Sequence, residues 1–255
     1  MPTARKDGLR PGRWRRFSLQ FIVYSLRMET LIQYDKQLLL LLNGSESLYY
    51  DALMRILTNA LTWVPLYLSL FYLVLKNNEN IQKVLLVLAG AGLCVLFAGG
   101  IDDAIVKPLV GRWRPTHDPE IGMLVDVVDG YRGGSYGFFS AHAANTFSIA
   151  VFFCWLVRSR MLYATLIPWS LLNCWTRLYL GVHYPGDILT GLAWGAIVGT
   201  TVYFLFFRRI ASRFSTKTLY VSSHYTATGY LRVEVYIPVG MFVFTLLYAF
   251  IRAAL

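Results

Sequence analysis

This chain has few charged residues. Charged residues make up 15% of its 255 residues, whereas hydrophobic residues make up 56%. Soluble globular domains carry roughly 25% charged residues, so a water-soluble protein with a single core is not expected. Paired cysteines are lacking too: Cys94, Cys154 and Cys174 all lie in apolar stretches, and an odd count without paired spacing gives no disulfide framework. Repeats and low-complexity segments are also absent. The composition indicates a membrane protein.

The chain contains several long apolar runs. Residues 56–75, 84–101 and 188–207 are uncharged, and each is long enough to cross a hydrocarbon layer of roughly 30 Å as a helix. Residues 143–157, 161–176 and 235–251 form shorter apolar runs. Short connections join these runs. The pattern predicts an all-α, polytopic membrane helical bundle with about six transmembrane helices, forming a single domain over residues 29–255.

The N-terminal segment has a different character. Residues 1–28 form a basic tail that includes a ten-residue apolar patch, 17–26, without a small-residue cleavage site after it. Two interpretations stay open: the native chain starts at Met28, or an ordinary basic tail precedes a membrane helix. Residues 31–42 predict an amphipathic helix at the membrane interface, with Asp35 and Lys36 on its water-facing side.

The distribution of basic residues predicts the topology. Cytoplasmic connections of membrane proteins are enriched in lysine and arginine. Every second connection of this chain is basic, so these connections are assigned to the cytoplasm. The net charge of +10 needs no nucleic-acid partner, because no nucleic-acid-binding module is visible. The remaining polar clusters then share the opposite face, which in a bacterial inner membrane is the periplasm or exterior. The residues that define the cytoplasmic connections are Lys76, Lys83, Arg158, Arg160, Arg208, Arg209, Arg213 and Lys217.

Two polar clusters flank apolar runs in the middle of the chain. Lys107 and Arg114-Pro115 follow the second run, and they combine a point charge with a planar guanidinium suited to phosphate oxygens. The other reading is that both are anchors at the headgroup level. Ser140 and His142 open a later helix, where Ser140 is the predicted N-cap and the first-turn amides favour an anion.

A third cluster lies between two later apolar runs. Arg177 ends one run, Asp187 begins the next, and Pro185-Gly186 form a turn between them. This turn can bring Asp187 back to His183, so that the carboxylate fixes the imidazole tautomer and leaves the other ring nitrogen free to attack phosphorus. The alternative is a helix-capping aspartate beside an unrelated histidine.

In order and spacing, these clusters resemble the three-part signature of the type-2 phosphatidic acid phosphatase family of membrane enzymes. The resemblance implies hydrolysis of a phosphoric monoester or diphosphate through a phosphohistidine intermediate, without metal or cofactor. It implies that His183 is the nucleophile, that Asp187 orients it, and that His142 protonates the departing oxygen. The implied phosphate-binding groups are Lys107, Arg114, Ser140, the amide of Ala141 and Arg177.

Two positions depart from the family pattern. Phe139-Ser140-Ala141-His142 stands where the family has proline, serine, glycine and histidine, and Ala141 lacks the freedom of glycine at positive φ. Thr176 replaces a serine before Arg177 and keeps a hydroxyl. The expected substrate is a membrane lipid phosphate or pyrophosphate, such as undecaprenyl pyrophosphate, a lipid A phosphate, phosphatidylglycerol phosphate or phosphatidic acid. The loop over residues 116–137 is expected to control access of the headgroup.

Two other classes are alternatives. A metal-dependent hydrolase would ligate zinc through His142, His183 and Asp187, together with Asp102 or Asp103, although the neighbouring cations oppose a divalent ion. A lipid or anion transporter would use Asp102 and Asp103 within the membrane, but no repeated halves are visible. The sequence does not indicate an oligomeric state.

Overall fold

Every regular element in the described part of the chain is helical. The computed structural model describes the backbone of residues 11–213 and 223–255, and side chains from residue 27 onward within those ranges. Residues 1–10 and 214–222, which include Lys217, lie outside the described residues. The helices are α1 (Pro11–Leu42), α2 (Leu48–Thr58), α3 (Val64–Asn77), α4 (Ile81–Val110), α5 (Ala141–Val157), α6 (Arg160–Tyr179), α7 (Pro185–Ala211) and α8 (Arg232–Ala254).

The chain contains enough apolar helix to span a membrane repeatedly. Among the described residues, four helices have the length and hydropathy of membrane spans, and α5 is apolar but shorter. The protein is therefore an integral membrane protein with an all-helical fold, as predicted, while the total of six spans stays a prediction. The four helices are Ala60–Asn77, α4, α7 and α8.

The first predicted run is not one helix. Residues 56–75 were expected to cross the membrane continuously, but α2 ends at Thr58 and Asn59 has extended backbone angles. The Asn59 side chain accepts a hydrogen bond from the amide of Leu61, and a short 3₁₀ turn leads into α3. An asparagine favours such a break because its side chain replaces a backbone partner. The break leaves Thr58 at the end of α2, beside Arg177 of the third cluster.

The prediction for α1 was wrong in the orientation of its polar face. Asp35 and Lys36 were expected to face water, yet Lys36 is buried and pairs with Asp118 at 2.9 Å. Asp35 lies 2.7 Å from Arg112 and accepts the amide of Gly186. The leucines on the other side of the helix are exposed instead. The pattern was amphipathic, but its polar side binds the loops of the protein.

Helices α5 and α7 pack very closely, and this contact sets the geometry of the site. Gly191, Gly195 and Gly199 face α5 at four-residue intervals. A Cβ on Gly195 would lie 2.6 Å from the carbonyl oxygen of Ala144, a separation that real Cβ atoms do not reach. Small residues let backbones approach within a bilayer. The first turns of the two helices are thereby held together, with the Ser140 amide donating to the Asp187 carbonyl at 3.1 Å.

The final helix belongs to the same bundle, since α8 packs against α2, α3 and α6. Its first residues lie at the end of α3, where the amide of Leu231 donates to the side chain of Asn77. Its last turns lie near α2, where the Tyr49 hydroxyl donates to the carbonyl of Phe250. The C-terminal end of α8 is therefore on the same side of the bundle as α2.

Candidate active site

His183 lies at the centre of the three sequence clusters. It is 1% exposed and sits in the connection between α6 and α7. Its Nε2 atom is 3.2 Å from a terminal nitrogen of Arg114. Burial and the positive charges of Arg114, Arg177 and Lys107 all lower the pKa of this imidazole, and so does His142. The folded chain brings the predicted residues together at one end of the bundle.

The hydrogen-bond geometry fixes the state of the His183 ring. A guanidinium can only donate hydrogen bonds, so Nε2 facing Arg114 must carry the lone pair. The proton of the neutral ring is then on Nδ1, which lies 3.6 Å from an oxygen of Asp187. Burial, together with the charges of Arg114 and Arg177, lowers the pKa of His183 well below its ordinary value of 6.5. The ring is therefore a neutral base with its free electron pair on Nε2.

Asp187 does more than face the histidine. It is fully buried in the first turn of α7, where Oδ2 accepts the backbone amide of Tyr184 at 3.0 Å. Oδ1 accepts from a terminal nitrogen of Arg112 at 2.7 Å. The carboxylate thus caps its helix and lies beside His183 at once, so the two sequence interpretations describe the same residue. Arg112 also binds Asp35, which links α1 to the site.

Arg114 is positioned by backbone carbonyls on both sides. Its Nε donates to the carbonyl of Tyr136 at 3.1 Å, and one terminal nitrogen donates to that of Val182 at 3.2 Å. The glycine-rich loop packs directly on it, because a Cβ at Gly137 would lie 3.0 Å from the Arg114 side chain and 3.4 Å from Asp187. The guanidinium is 9% exposed as a residue and holds no carboxylate within ion-pair distance in the described part of the chain. Its positive charge is therefore not neutralised by a neighbouring carboxylate among these residues.

Arg177 is a second buried cation, and none of the described carboxylates lies within ion-pair distance of it. It is 2% exposed, and its terminal nitrogens donate to the hydroxyls of Thr58 at 2.8 Å and Tyr131 at 3.1 Å. Its Nε has no hydrogen-bond partner. Thr176 keeps the hydroxyl expected at its position, and this hydroxyl donates to that of Thr58 at 3.1 Å. A buried, uncompensated guanidinium is costly unless an anion neutralises it, so this arrangement suits a phosphate.

Lys107 is held by acidic neighbours on its own helix. Its ammonium group lies 3.0 Å from Asp102 and also contacts Asp103. Asp102 is fully buried and accepts the backbone amide of Phe139 at 3.1 Å, which connects the first cluster to the second. Helix α4 widens to π-helical turns over Leu96–Gly100 and Asp102–Val106, and the Asn145 side chain accepts from the amide of Gly99 in this region. Asp102 therefore supports the site from behind.

The second cluster has the predicted cap. Ser140 is the N-cap of α5, and its hydroxyl accepts from the amide of Ala143 at 3.4 Å. Ala141 occupies the first helical position and is not among the described residues with positive φ, so the missing glycine causes no backbone strain here. His142 follows on the first turn and is partly buried. The positively charged side chains of Arg177, Arg114 and Lys107 lie near its ring.

Sequence analysis left several supporting residues unassigned. Tyr131 and Thr58 hold Arg177, and Asp35 with Arg112 holds Asp187. The positions of Tyr131, Thr58 and Asp35 carry no local signal of these roles. Arg112 is the one with a hint, since it is a cation on a membrane face where cations are disfavoured. The loop acids that were expected to control access make structural contacts as well: Asp118 binds Lys36 and accepts from the Tyr184 hydroxyl at 2.7 Å.

The metal-site alternative gains no support from the geometry. Among the side chains of residues 27–213 and 223–255, no three histidines, cysteines, aspartates or glutamates group in a way that could hold a metal ion. Both Asp187 oxygens are already occupied by donors. The candidate ligands His142, His183 and Asp187 face guanidinium groups instead.

The fold and this site define a class of membrane phosphatases. Residues 83–211 match the family model described as the PAP2 superfamily, which is half of the chain, and the chain belongs to that superfamily. It is thereby a phosphoric monoester hydrolase. This agrees with the family expected from the sequence.

The chain is similar to individual lipid phosphatases. The chain is 43% identical over 180 residues to the lipid A 4'-phosphatase of Bacteroides thetaiotaomicron, covering 70% of this chain and 79% of that protein. It is 35% identical over 179 residues to the lipid A 4'-phosphatase of Porphyromonas gingivalis, covering 69% and 74%. The crystal structure of a transmembrane PAP2-type phosphatidylglycerolphosphate phosphatase from Bacillus subtilis shares the fold, with a TM-score of 0.54, 18% identity, and coverage of 78% and 96%.

Proposed function

We propose that this protein removes a phosphate from a lipid A-type glycolipid in a bacterial membrane, by transfer of the phosphoryl group to His183 and hydrolysis of the phosphohistidine. The observation that carries the proposal is the contact between Nε2 of His183 and Arg114 at 3.2 Å, inside a buried group of cations. The similarity to two lipid A 4'-phosphatases supports the choice of lipid. A lipid A 1-phosphatase from Rhizobium johnstonii is 30% identical over 103 residues, covering 40% of this chain and 41% of that protein, so the names of these relatives refer to two phosphate positions of lipid A.

In the first step, the lone pair of Nε2 of His183 attacks phosphorus. A phosphorus–nitrogen bond forms while the bond from phosphorus to the lipid oxygen breaks on the opposite side. The bound phosphate offsets the surrounding cations, so His142 takes up a proton from solvent; it donates this proton to the departing oxygen, which leaves as an alcohol. The Nδ1 proton of His183 stays beside Asp187, whose negative charge stabilises the positive charge that develops on the ring.

In the second step, a water molecule takes the place of the lipid alcohol. His142, now neutral, accepts a proton from this water as its oxygen attacks phosphorus. The phosphorus–nitrogen bond breaks, and its electron pair returns to Nε2 of His183. Inorganic phosphate leaves, and both histidines are restored for the next cycle. A single residue that acts first as a general acid and then as a general base is the expected pattern for a double displacement.

Fixed donors stabilise the charge on the transferring group. Arg114 and Arg177 bring guanidinium groups that match two phosphoryl oxygens, and Lys107 adds a point charge. The first-turn amides of α5 at Ala141 and His142 point toward the anion from the N-cap at Ser140. Because these groups are held before substrate arrives, they need little reorganisation during reaction.

The proposed location of the site is the outer face of the inner membrane. The ends of α3, α5 and α7 that lie away from the site carry Lys76, Arg158, Arg208 and Arg209, which are typical of the cytoplasmic side. The acyl chains would stay in the bilayer while the phosphorylated headgroup enters between the loops. Isoprenoid diphosphates and phosphatidic acid are the alternative substrates; a nonenzymatic transporter is disfavoured because the polar residues lie at one end of the bundle.

Phosphate release by purified protein in detergent tests this proposal. We expect turnover of lipid A in the presence of a metal chelator, and slower or no turnover of phosphatidic acid and undecaprenyl pyrophosphate. Vanadate, which adopts the five-coordinate geometry of the transition state, should inhibit. Release that requires added zinc would overturn the mechanism, and preference for another lipid would overturn the substrate.

A further inference from the structure

A second cationic cavity lies beside the active site. It has a volume of about 540 Å³ and opens between the end of α2, the turn after it and the last turns of α8. Arg55 and Arg252 line it, together with Thr58 and Tyr131. A volume of this size lies within the range of roughly 300–1,000 Å³ that is typical of small-molecule sites. The cavity can therefore hold a polar group of a headgroup rather than a single water molecule.

One aromatic side chain separates this cavity from the phosphate-binding cations. The Tyr131 ring has Arg55 at 4.6 Å and Arg177 at 5.4 Å from its centroid, and its hydroxyl accepts from Arg177. Thr58 lines the cavity and also accepts from Arg177 at 2.8 Å. A ligand in the cavity would thus be one side chain away from a phosphate on Arg177. Because Arg55 and Arg177 both contact the Tyr131 ring, two anionic groups on one molecule could each reach one of these cations.

The cavity has more positive than negative charge. Among the described residues, no carboxylate lies within ion-pair distance of Arg252. Arg55 has one partner, Asp129, at the long distance of 3.7 Å, and the Asp129 side chain is 71% exposed. Such a pair contributes little, because water screens it. Both arginines are available to an anion.

The position of Arg252 also points to a ligand. The C-terminal end of α8 lies on the side of α2, where the catalytic loops are, and cations on this face are disfavoured by topology. Snorkelling toward headgroups would explain an arginine at a helix end. It does not explain why Arg252 lines the same cavity as Arg55, Thr58 and Tyr131.

We propose that this cavity binds a second phosphate of the substrate headgroup while the first phosphate occupies the site of His183. This inference rests on the proposed function, since lipid A-type glycolipids offer phosphates at two positions. The cavity then favours bisphosphorylated lipids over monophosphorylated ones. Arg252 and Arg55 supply the binding charges, and Asp129 competes with the ligand for Arg55.

The test compares bisphosphorylated lipid A with the monophosphorylated form that the wild-type protein hydrolyses, in the same detergent. For each variant, kcat/KM is measured on both lipids and expressed as a ratio. We expect Arg252→Gln to lower the bisphosphate-to-monophosphate ratio about tenfold, as for loss of one charged hydrogen bond. Asp129→Asn should raise the ratio, and asparagine tolerates the positive φ of 49° at this position. Arg209→Gln, an exposed cation at the far end of α7, is the matched control and should not change it.

Each result has a defined meaning. A ratio unchanged in Arg252→Gln, or an equal loss on both lipids, overturns the second phosphate site. Altered inhibition by inorganic phosphate with an unchanged ratio would assign the cavity to free phosphate instead, and would also overturn it. If the wild-type protein hydrolyses neither lipid, the proposed function itself fails, a result distinct from hydrolysis without discrimination.

Discussion

Arg114 lies 3.2 Å from Nε2 of His183, and the contact joins two loops that are far apart in sequence. It orients the free electron pair of the imidazole toward the same guanidinium that would bind a phosphoryl oxygen. A phosphate that binds Arg114 would therefore lie directly in front of the nitrogen that we propose as the nucleophile. Placement of this kind lowers the barrier by bringing reacting atoms together before reaction.

Arg177→Gln should reduce kcat strongly. The variant keeps a polar side chain near Thr58 and Tyr131 but removes a buried charge from the transition state, and loss of one such group costs about a hundredfold to a thousandfold. The measurement is steady-state phosphate release in detergent. Arg160→Gln, an exposed cation at the other end of α6, is the control and should keep the wild-type rate. Equal activity of Arg177→Gln and Arg160→Gln would remove Arg177 from the site.

Asp35→Asn should impair catalysis from outside the site. Asp35 binds Arg112 at 2.7 Å, and Arg112 in turn binds Asp187, so loss of the charge loosens the carboxylate beside His183. We expect kcat to fall about tenfold, in line with the worth of a hydrogen bond to a charged group, with a smaller change in KM. Asp35→Glu should restore part of the rate. The same helix offers Glu29→Gln as an exposed control; a change confined to KM would argue against positioning.

Stability should depend on pH through His183. Its pKa is lowered in the folded protein, so below pH 6.5 the unfolded chain binds a proton that the folded chain does not. Stability is therefore complete above pH 6.5 and falls as the pH decreases. At pH 5.5 the folded protein is therefore less stable than at neutral pH through this one group. Unfolding in detergent followed by tryptophan fluorescence should show a weaker pH dependence for His183→Gln than for the wild type; identical slopes would contradict a neutral buried ring.

Gly195→Ala should destabilise the bundle and disturb the site. The added methyl group would meet the carbonyl of Ala144 at 2.6 Å, and overpacking of this kind costs about 1–3 kcal/mol. Gly92→Ala is a matched control, because no atom lies within 4 Å of the new Cβ. The unfolding midpoint and the turnover rate are compared for both. If the two variants behave alike, close packing of α5 and α7 is not what positions Ser140 against Asp187.

The convergence of the three clusters could be predicted from sequence because their residues sit at the ends of apolar runs. Lys107, Ser140 and Arg177 each mark the point where a helix meets the surface, and antiparallel neighbours bring such points to one end. The supporting contacts could not be predicted in this way. Asp35 reaches Arg112 across 77 positions of the chain, and nothing local specifies that partner.

The wrong predictions share a physical cause. Hydropathy does not distinguish a continuous helix from one broken at Asn59, because the residues on both sides of the break are apolar. An amphipathic pattern likewise does not say whether its polar side meets water or protein, which is why Asp35 and Lys36 were assigned to solvent. Both errors concern what a side chain touches in three dimensions, and only the folded chain provides that.

The most direct test of the account is to trap the covalent intermediate. Protein mixed with a ³²P-labelled lipid phosphate is quenched in alkali after a few milliseconds, and the labelled peptide is identified by mass spectrometry. The account predicts a base-stable, acid-labile label on His183, absent from His183→Ala and longer-lived in His142→Ala, where the second step lacks its base. A label on another residue, or normal turnover by His183→Ala, would contradict it.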